Sequence, residues 1–166
     1  MGQTNTLTAE SKGEVILSMI KNSHELKDQL QAEVQFKVDA YWEEWQTENK
    51  RIKSLHISVG SADYIHTGRL APRVYSPKNT HRVYLEWWDF KKSPLRKHIK
   101  SFGVRIKPTK KGYTWSSVSK HANSWEKKLY DKYEAQFNSL RISLNAICDH
   151  INHLNKILRV LRKPAQ

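Results

Sequence analysis

The chain has 166 residues, with 29 Lys and Arg against 16 Asp and Glu, a formal net charge of +13 with His neutral. That length suits one domain with a modest core, and a hydrophobic content of 38% argues against global disorder. One cysteine excludes an intramolecular disulfide, no apolar run approaches the ~20 residues of a membrane span, and the polar stretch 1–13 does not read as a secretory leader. A soluble, intracellular, strongly basic protein with polyanionic partners is expected, nucleic acid before an acidic membrane surface.

Residues 1–50 carry 5 basic and 9 acidic groups, a net of −4. Apolar residues recur at Ile16, Met19, Ile20, Leu26, Leu30, Val34, Val38, Tyr41 and Trp45. Steps of three, four and seven define one helix face, so a helix is predicted over about 14–48, with a break near Asn22 and Ser23.

Residues 51–115 read as strands. Residues 55–59 alternate with period two. From 83 to 90, Val83, Leu85 and Trp87 point one way and Tyr84, Glu86, Trp88 and Phe90 the other. Gly, Pro and Ser accumulate between 60 and 80, which predicts loops there. Segments 102–107 and 112–115 flank Pro108-Thr109-Lys110-Lys111, so a hairpin is predicted, with Val104 and Ile106 on its apolar face.

The last segment, 116–166, has no Gly and no Pro before Pro164. Its apolar residues fall at 118, 122, 125, 129, 133, 137, 140, 144, 147, 151, 154, 158 and 161. From Phe137 the steps alternate three and four, the pattern of a coiled-coil seam. Ser116 or Ser117 is the predicted N-cap of a helix over about 117–162, and Pro164 ends the run. The expected fold is α+β: two long helices in an antiparallel, coiled-coil-like hairpin, with a small antiparallel sheet inserted between them. A helical arm (1–50), a basic β-rich region (51–115) and a C-terminal helix (116–166) would form one domain. One face of the first helix looks too small to cover both the seam and the aromatic strands, which predicts a homodimer.

The charge points to function. Residues 51–115 hold 15 basic groups against Asp63, Glu86 and Asp89, a net of +12, whereas 116–166 carry only +5. A solvated surface needs both signs, so this one-sided block reads as a DNA-binding surface. The candidate contacts are Arg73, Arg82, Lys91, Lys92, Arg96, Lys97, Lys100, Arg105, Lys107, Lys110 and Lys111. A twisted basic ribbon can follow a duplex backbone or enter a groove. Exposed Tyr84, Trp88, Tyr113 or Trp115 could instead stack on unpaired bases, unless they form the core.

Other chemistries find less support. Asp89-Phe90-Lys91 with nearby Glu86 resembles half of a metal-dependent nuclease site, but the second acid is missing: Asp63 lies in a Gly/Ser stretch. Cys148, Asp149, His150 and His153 are metal-ligand types, yet Cys148 and His150 fall on different helix faces and no second Cys exists. Residues 1–6 match a loose myristoylation pattern without adjacent basic residues. No phosphate-binding Gly-rich loop or nucleophile turn occurs. The sequence therefore predicts a non-enzymatic protein with no cofactor, no metal and no membrane partner. A metal-dependent nuclease using Glu86, Asp89 and Lys91 is the alternative, with a coiled-coil adaptor third.

A family pattern supports the same reading. Val83-Tyr84-Leu85-Glu86-Trp87-Trp88 is followed by Lys97-His98-Ile99-Lys100 and then by Gly112-Tyr113-Thr114-Trp115-Ser116. Ala122-Asn123-Ser124-Trp125-Glu126 and Glu134-Ala135-Gln136-Phe137-Asn138-Ser139-Leu140-Arg141 complete it. Over about 82–160 the chain resembles the MobI-type conjugative transfer proteins of mobile elements. The resemblance implies an accessory mobilisation factor in a bacterial cytoplasm, acting with a separate relaxase at the origin of transfer, as a relaxosome auxiliary.

Overall fold

The structure is a computed structural model that describes residues 9–58, 65–91 and 103–162. In chain order it comprises α1 (Ala9–Ser58), β1 (Leu70–Tyr75), β2 (Tyr84–Asp89), β3 (Val104–Arg105), the short α2 (Trp115–Val118), a 3-10 turn (Ser119–His121) and α3 (Glu126–Leu161). The α1 and α3 helices run antiparallel and pack along most of their length. Trp45 meets Glu126 and Glu44 meets Lys132, while Tyr41 meets Tyr133 and Phe137. The three-stranded antiparallel sheet, in the order β1-β2-β3, covers one side of this pair.

The stripes predicted from spacing form the core. Val34, Val38 and Tyr41 on α1 meet Phe137, Leu140 and Leu144 on α3, and Leu85 and Trp87 of β2 close the cluster. Burying each such side chain stabilises by about 1.5–3 kcal/mol relative to exposure. Polar ties fix the layers. Arg141 donates twice to Glu134, at 2.8 and 2.9 Å, and its Nε donates to the Leu85 carbonyl. Trp87 Nε1 donates to the same Glu134.

Four local expectations differ from the structure. The α1 helix does not break at Asn22 and Ser23; Ser23 is buried and its hydroxyl donates to the Met19 carbonyl at 2.7 Å. It also continues to Ser58, so the predicted strand at 55–59 is helical as far as it is described. Buried Ile52 extends the stripe from Tyr41 and Trp45, and helical spacing outweighs the short alternation. In the predicted 60–80 loop lies β1, paired with β2 from Leu70↔Asp89 to Tyr75↔Tyr84. The predicted 102–115 hairpin is not one: β3 pairs with β2, and only a Thr109↔Gly112 bridge closes the tip, where Gly112 takes a φ of 81°. On β3, Ile106 just beyond the strand is buried, but Val104 is 46% exposed because the strand is a short edge.

The C-terminal helix begins later than predicted. Thr114, not Ser116 or Ser117, caps α2 in a reciprocal capping box with Ser117. A new helix then starts at Glu126 with its register shifted, so Glu126 and Tyr130 are buried while Trp125 and Leu129 are half-buried. From Tyr133 the predicted seam holds, except that Cys148 replaces Ile147. Pro164 lies outside the described residues.

Glu126 is fully buried at the junction of both helices and the sheet. Its Oε1 accepts from Trp45 Nε1 and from the backbone N–H groups of Arg69 and Leu70, each at 2.8 Å. Its Oε2 accepts from the Asn123 N–H at 2.8 Å. Only glycine fits beside this knot. A methyl on Gly68 would lie 2.5 Å from Trp45 Nε1, 2.7 Å from the Trp125 ring and 2.8 Å from Glu126 Oε1. Gly68→Ala is expected to destabilise the fold by about 1–3 kcal/mol, read as a lowered melting temperature. An unchanged melt would mean that the knot yields more easily than its contacts suggest.

Candidate nucleic-acid interface

The sheet has one face on the helices and one turned away from them. On β2, Leu85 and Trp87 face the core, so Tyr84, Glu86 and Trp88 face outward. Register places Tyr75 beside Tyr84, Arg73 beside Glu86, and Arg105 beside Trp88. The Arg73 guanidinium carbon stands 4.7 Å from the Trp88 ring centroid. The Tyr75 and Tyr84 rings are stacked at 6.4 Å with 26° between their planes. Beside Tyr84 a cleft of about 340 Å³ opens between β2, the 108–113 turn and α3.

The two carboxylates of the strand serve different partners. Asp89 is buried and takes both arms of Arg69, Nε at 2.9 Å, together with His121 Nδ1 at 3.1 Å and the Lys91 N–H at 2.8 Å. Glu86 projects to the other face and pairs with Arg105 at 2.5 Å. Burial raises the Glu86 carboxyl above the ordinary range, and Arg105 offsets this only in part. Among the described residues, Glu86, Asp89 and Lys91 do not form one cluster, and no three His, Cys, Asp or Glu side chains are grouped to hold a metal. Cys148 is buried with its thiol on the His81 carbonyl, and Asp149 pairs with Arg82.

Asp89 makes stability acid-sensitive. Burial alone would raise its carboxyl, but Arg69, the Lys91 N–H and His121 together hold it below the ordinary aspartate value. Its stabilisation is complete above that ordinary value and is lost as the pH falls through the lower folded value. Asp89→Asn is expected to cost about 3–5 kcal/mol near neutral pH, where it strands Arg69. In denaturant titrations the gap to the parent should close on acidification; a gap independent of pH would contradict this.

The predicted DNA contacts divide into four sets. Arg73 and Arg105 lie together on the outer sheet face. Lys107, Lys110 and Lys111 are exposed on the turn that follows β3, and Lys91 is exposed just past β2. Arg82 sits apart, against α3. Lys92, Arg96, Lys97 and Lys100 lie outside the described residues. Of the aromatics, Tyr84 and Trp88 face outward and are half-buried, with the Trp88 indole nitrogen covered, but Tyr113 is buried: its hydroxyl donates to the Ile106 carbonyl and Arg141 covers its ring at 4.6 Å. Burial pushes its phenol up to about 12. Trp115 packs on Tyr130. Tyr75, 44% exposed, joins this site although the Gly, Pro and Ser content of 60–80 predicts a loop there.

A helix pair with a small sheet whose outer face is basic and aromatic defines the class. The chain belongs to the MobI protein family, whose model matches residues 30–159, most of the chain and all three strands. Membership makes it a mobilisation-related protein. No curated protein and no solved structure matches the chain. Among the described residues no helix is long and apolar enough to cross a membrane.

Proposed function

We propose that the chain is a non-enzymatic DNA-binding accessory factor of conjugative transfer, acting in the cytoplasm on origin-of-transfer DNA beside a separate relaxase. One observation carries this. Within the cationic block of residues 51–115, Arg73 and Arg105 lie on the outer sheet face and Lys107, Lys110 and Lys111 are exposed on the turn that follows β3, while Glu86, the only carboxylate of the described strands on that face, is buried and paired with Arg105. Such a surface attracts phosphate and releases counterions. Family membership supplies the setting, a mobilisation-related protein. A gel shift with origin-of-transfer DNA of the parent element, at two salt concentrations, tests the reading. A shift that weakens with salt is expected, with no magnesium-dependent nicking. Nicking abolished by Glu86→Gln, in a variant that melts with the parent, would establish the nuclease alternative instead.

Two copies are expected to associate. On α1, Val15, Leu17, Met19, Leu26 and Phe36 are between 41% and 70% exposed. Apolar area of that kind on a helix favours a self-complementary contact. Light scattering should give a dimer mass, and Phe36→Glu should shift it to the monomer; a parent chain that is monomeric at working concentration refutes the dimer.

A further inference from the structure

We infer that the outer face of the sheet is a platform for single-stranded DNA, on which unpaired bases stack against Tyr75, Tyr84 and the Arg73–Trp88 pair. This rests on the DNA-binding reading above and narrows it to one class of nucleic acid.

Large aromatics are usually buried for their area. Here Tyr75 is 44% exposed, and strand register holds it against Tyr84 at 6.4 Å. Tyr84 also borders the open cleft beside β2, so protein does not enclose it. Arg73 is exposed and lies over Trp88 at 4.7 Å, an orientation that readies its planar cation for a base. Tyr84 and Trp88 are four residues apart, roughly 13 Å along an extended strand. That leaves room for two separate bases and the backbone between them. Lys107, beyond Arg105 and exposed, supplies a cation for the phosphates, while Arg105, across from Trp88, is held by Glu86.

The chemistry favours this occupant over two others. A duplex hides its base faces in its own stack and offers only edges and phosphates. Flat rings on a flat sheet would gain little from it. A second copy seated on this face by a two-fold axis would bring Arg73 and Arg105 of both copies together, a like-charge contact. Unpaired bases have a π-face to give, and their phosphates bring negative charge to Arg73 and Lys107, since Glu86, the one strand carboxylate on this face, is already paired with Arg105.

The test uses the full chain and a labelled oligonucleotide of mixed sequence, offered as the single strand and as its duplex at one salt concentration. The parent should bind the single strand more tightly. The double variant Tyr75→Ala, Tyr84→Ala should lose about ten-fold or more on the single strand, the size of a lost base stack, with little change on the duplex. Arg73→Lys keeps the charge and removes the plane, so it should also weaken only the single strand. It decides the matter if the tyrosine variant melts below the parent. Lys110→Ala with Lys111→Ala should weaken both forms and flatten the salt dependence. Preference for duplex, or equal loss on both forms in the tyrosine and Arg73→Lys variants, overturns the platform while leaving DNA binding intact. Failure of the parent to bind either form overturns both readings.

Discussion

Glu126→Ala should be the most damaging single substitution described here, costing about 4 kcal/mol or more, because each orphaned buried donor costs about 1–3 kcal/mol. Four donors would lose their acceptor at once: Trp45 Nε1 and the N–H groups of Arg69, Leu70 and Asn123. They come from α1, the start of β1 and the turn before α3, so the loss loosens every layer. Glu126→Gln should cost less, since one oxygen can still serve three of them, while the amide nitrogen opposes the Asn123 donor. Burial, only partly offset by these hydrogen bonds, raises the Glu126 carboxyl above the ordinary range. A group raised in the folded state favours folding most below its unfolded value, and the benefit fades as pH rises through the folded value. The Gln variant should lack that fading. Denaturant titrations across this interval measure both effects, and an alanine variant as stable as the parent would show that water replaces the carboxylate without cost.

If the chain binds DNA as proposed, neutralising Lys91, Lys92, Arg96, Lys97 and Lys100 together should produce the largest loss of DNA affinity. If these cations lie at phosphates of a duplex, the slope of log affinity against log salt shrinks by about 0.9 for each contact removed. Five such losses multiply, so the effect should exceed that of any single charge. The fold should survive, because all five lie outside the two apolar helical stripes of the sequence. Leu144, Ile151 and Leu158 are the controls: they are buried in α3, and shortening them should lower stability before it touches binding. A quintuple variant with parental affinity and parental salt slope would move the DNA surface elsewhere on the protein.

The helices were legible because periodicity is a property of the residues that must be buried. From Tyr133 to Leu158 almost every seam position predicted by spacing is buried. The strand β1 was not legible, for two physical reasons. Pro72 argues against a strand, and Leu70, Ala71 and Pro72 are all buried, so no alternation appears. With β1 unseen, Tyr75 and the pairing of Arg73 with the outer face were unseen too. The role of Glu126 was hidden because a carboxylate beside a seam reads as surface. Its spacing from Asn123, three residues back, was the available signal, since a helix-starting Glu at that distance can reach back to a free N–H.

Pro72 has a second consequence, for behaviour at high local concentration. An unprotected edge strand invites further strands to add, the first step of sheet aggregation. Along the side of β1 away from β2, Leu70 gives its N–H to Glu126 and its carbonyl takes the Tyr41 hydroxyl at 2.8 Å. Pro72 has no N–H to offer, and its carbonyl takes Trp42 Nε1 at 3.0 Å. The edge is thus already capped by side chains of both long helices over its first half. Copies of the chain held close together gain from this, since neighbouring copies find no open template there for fibre-like growth.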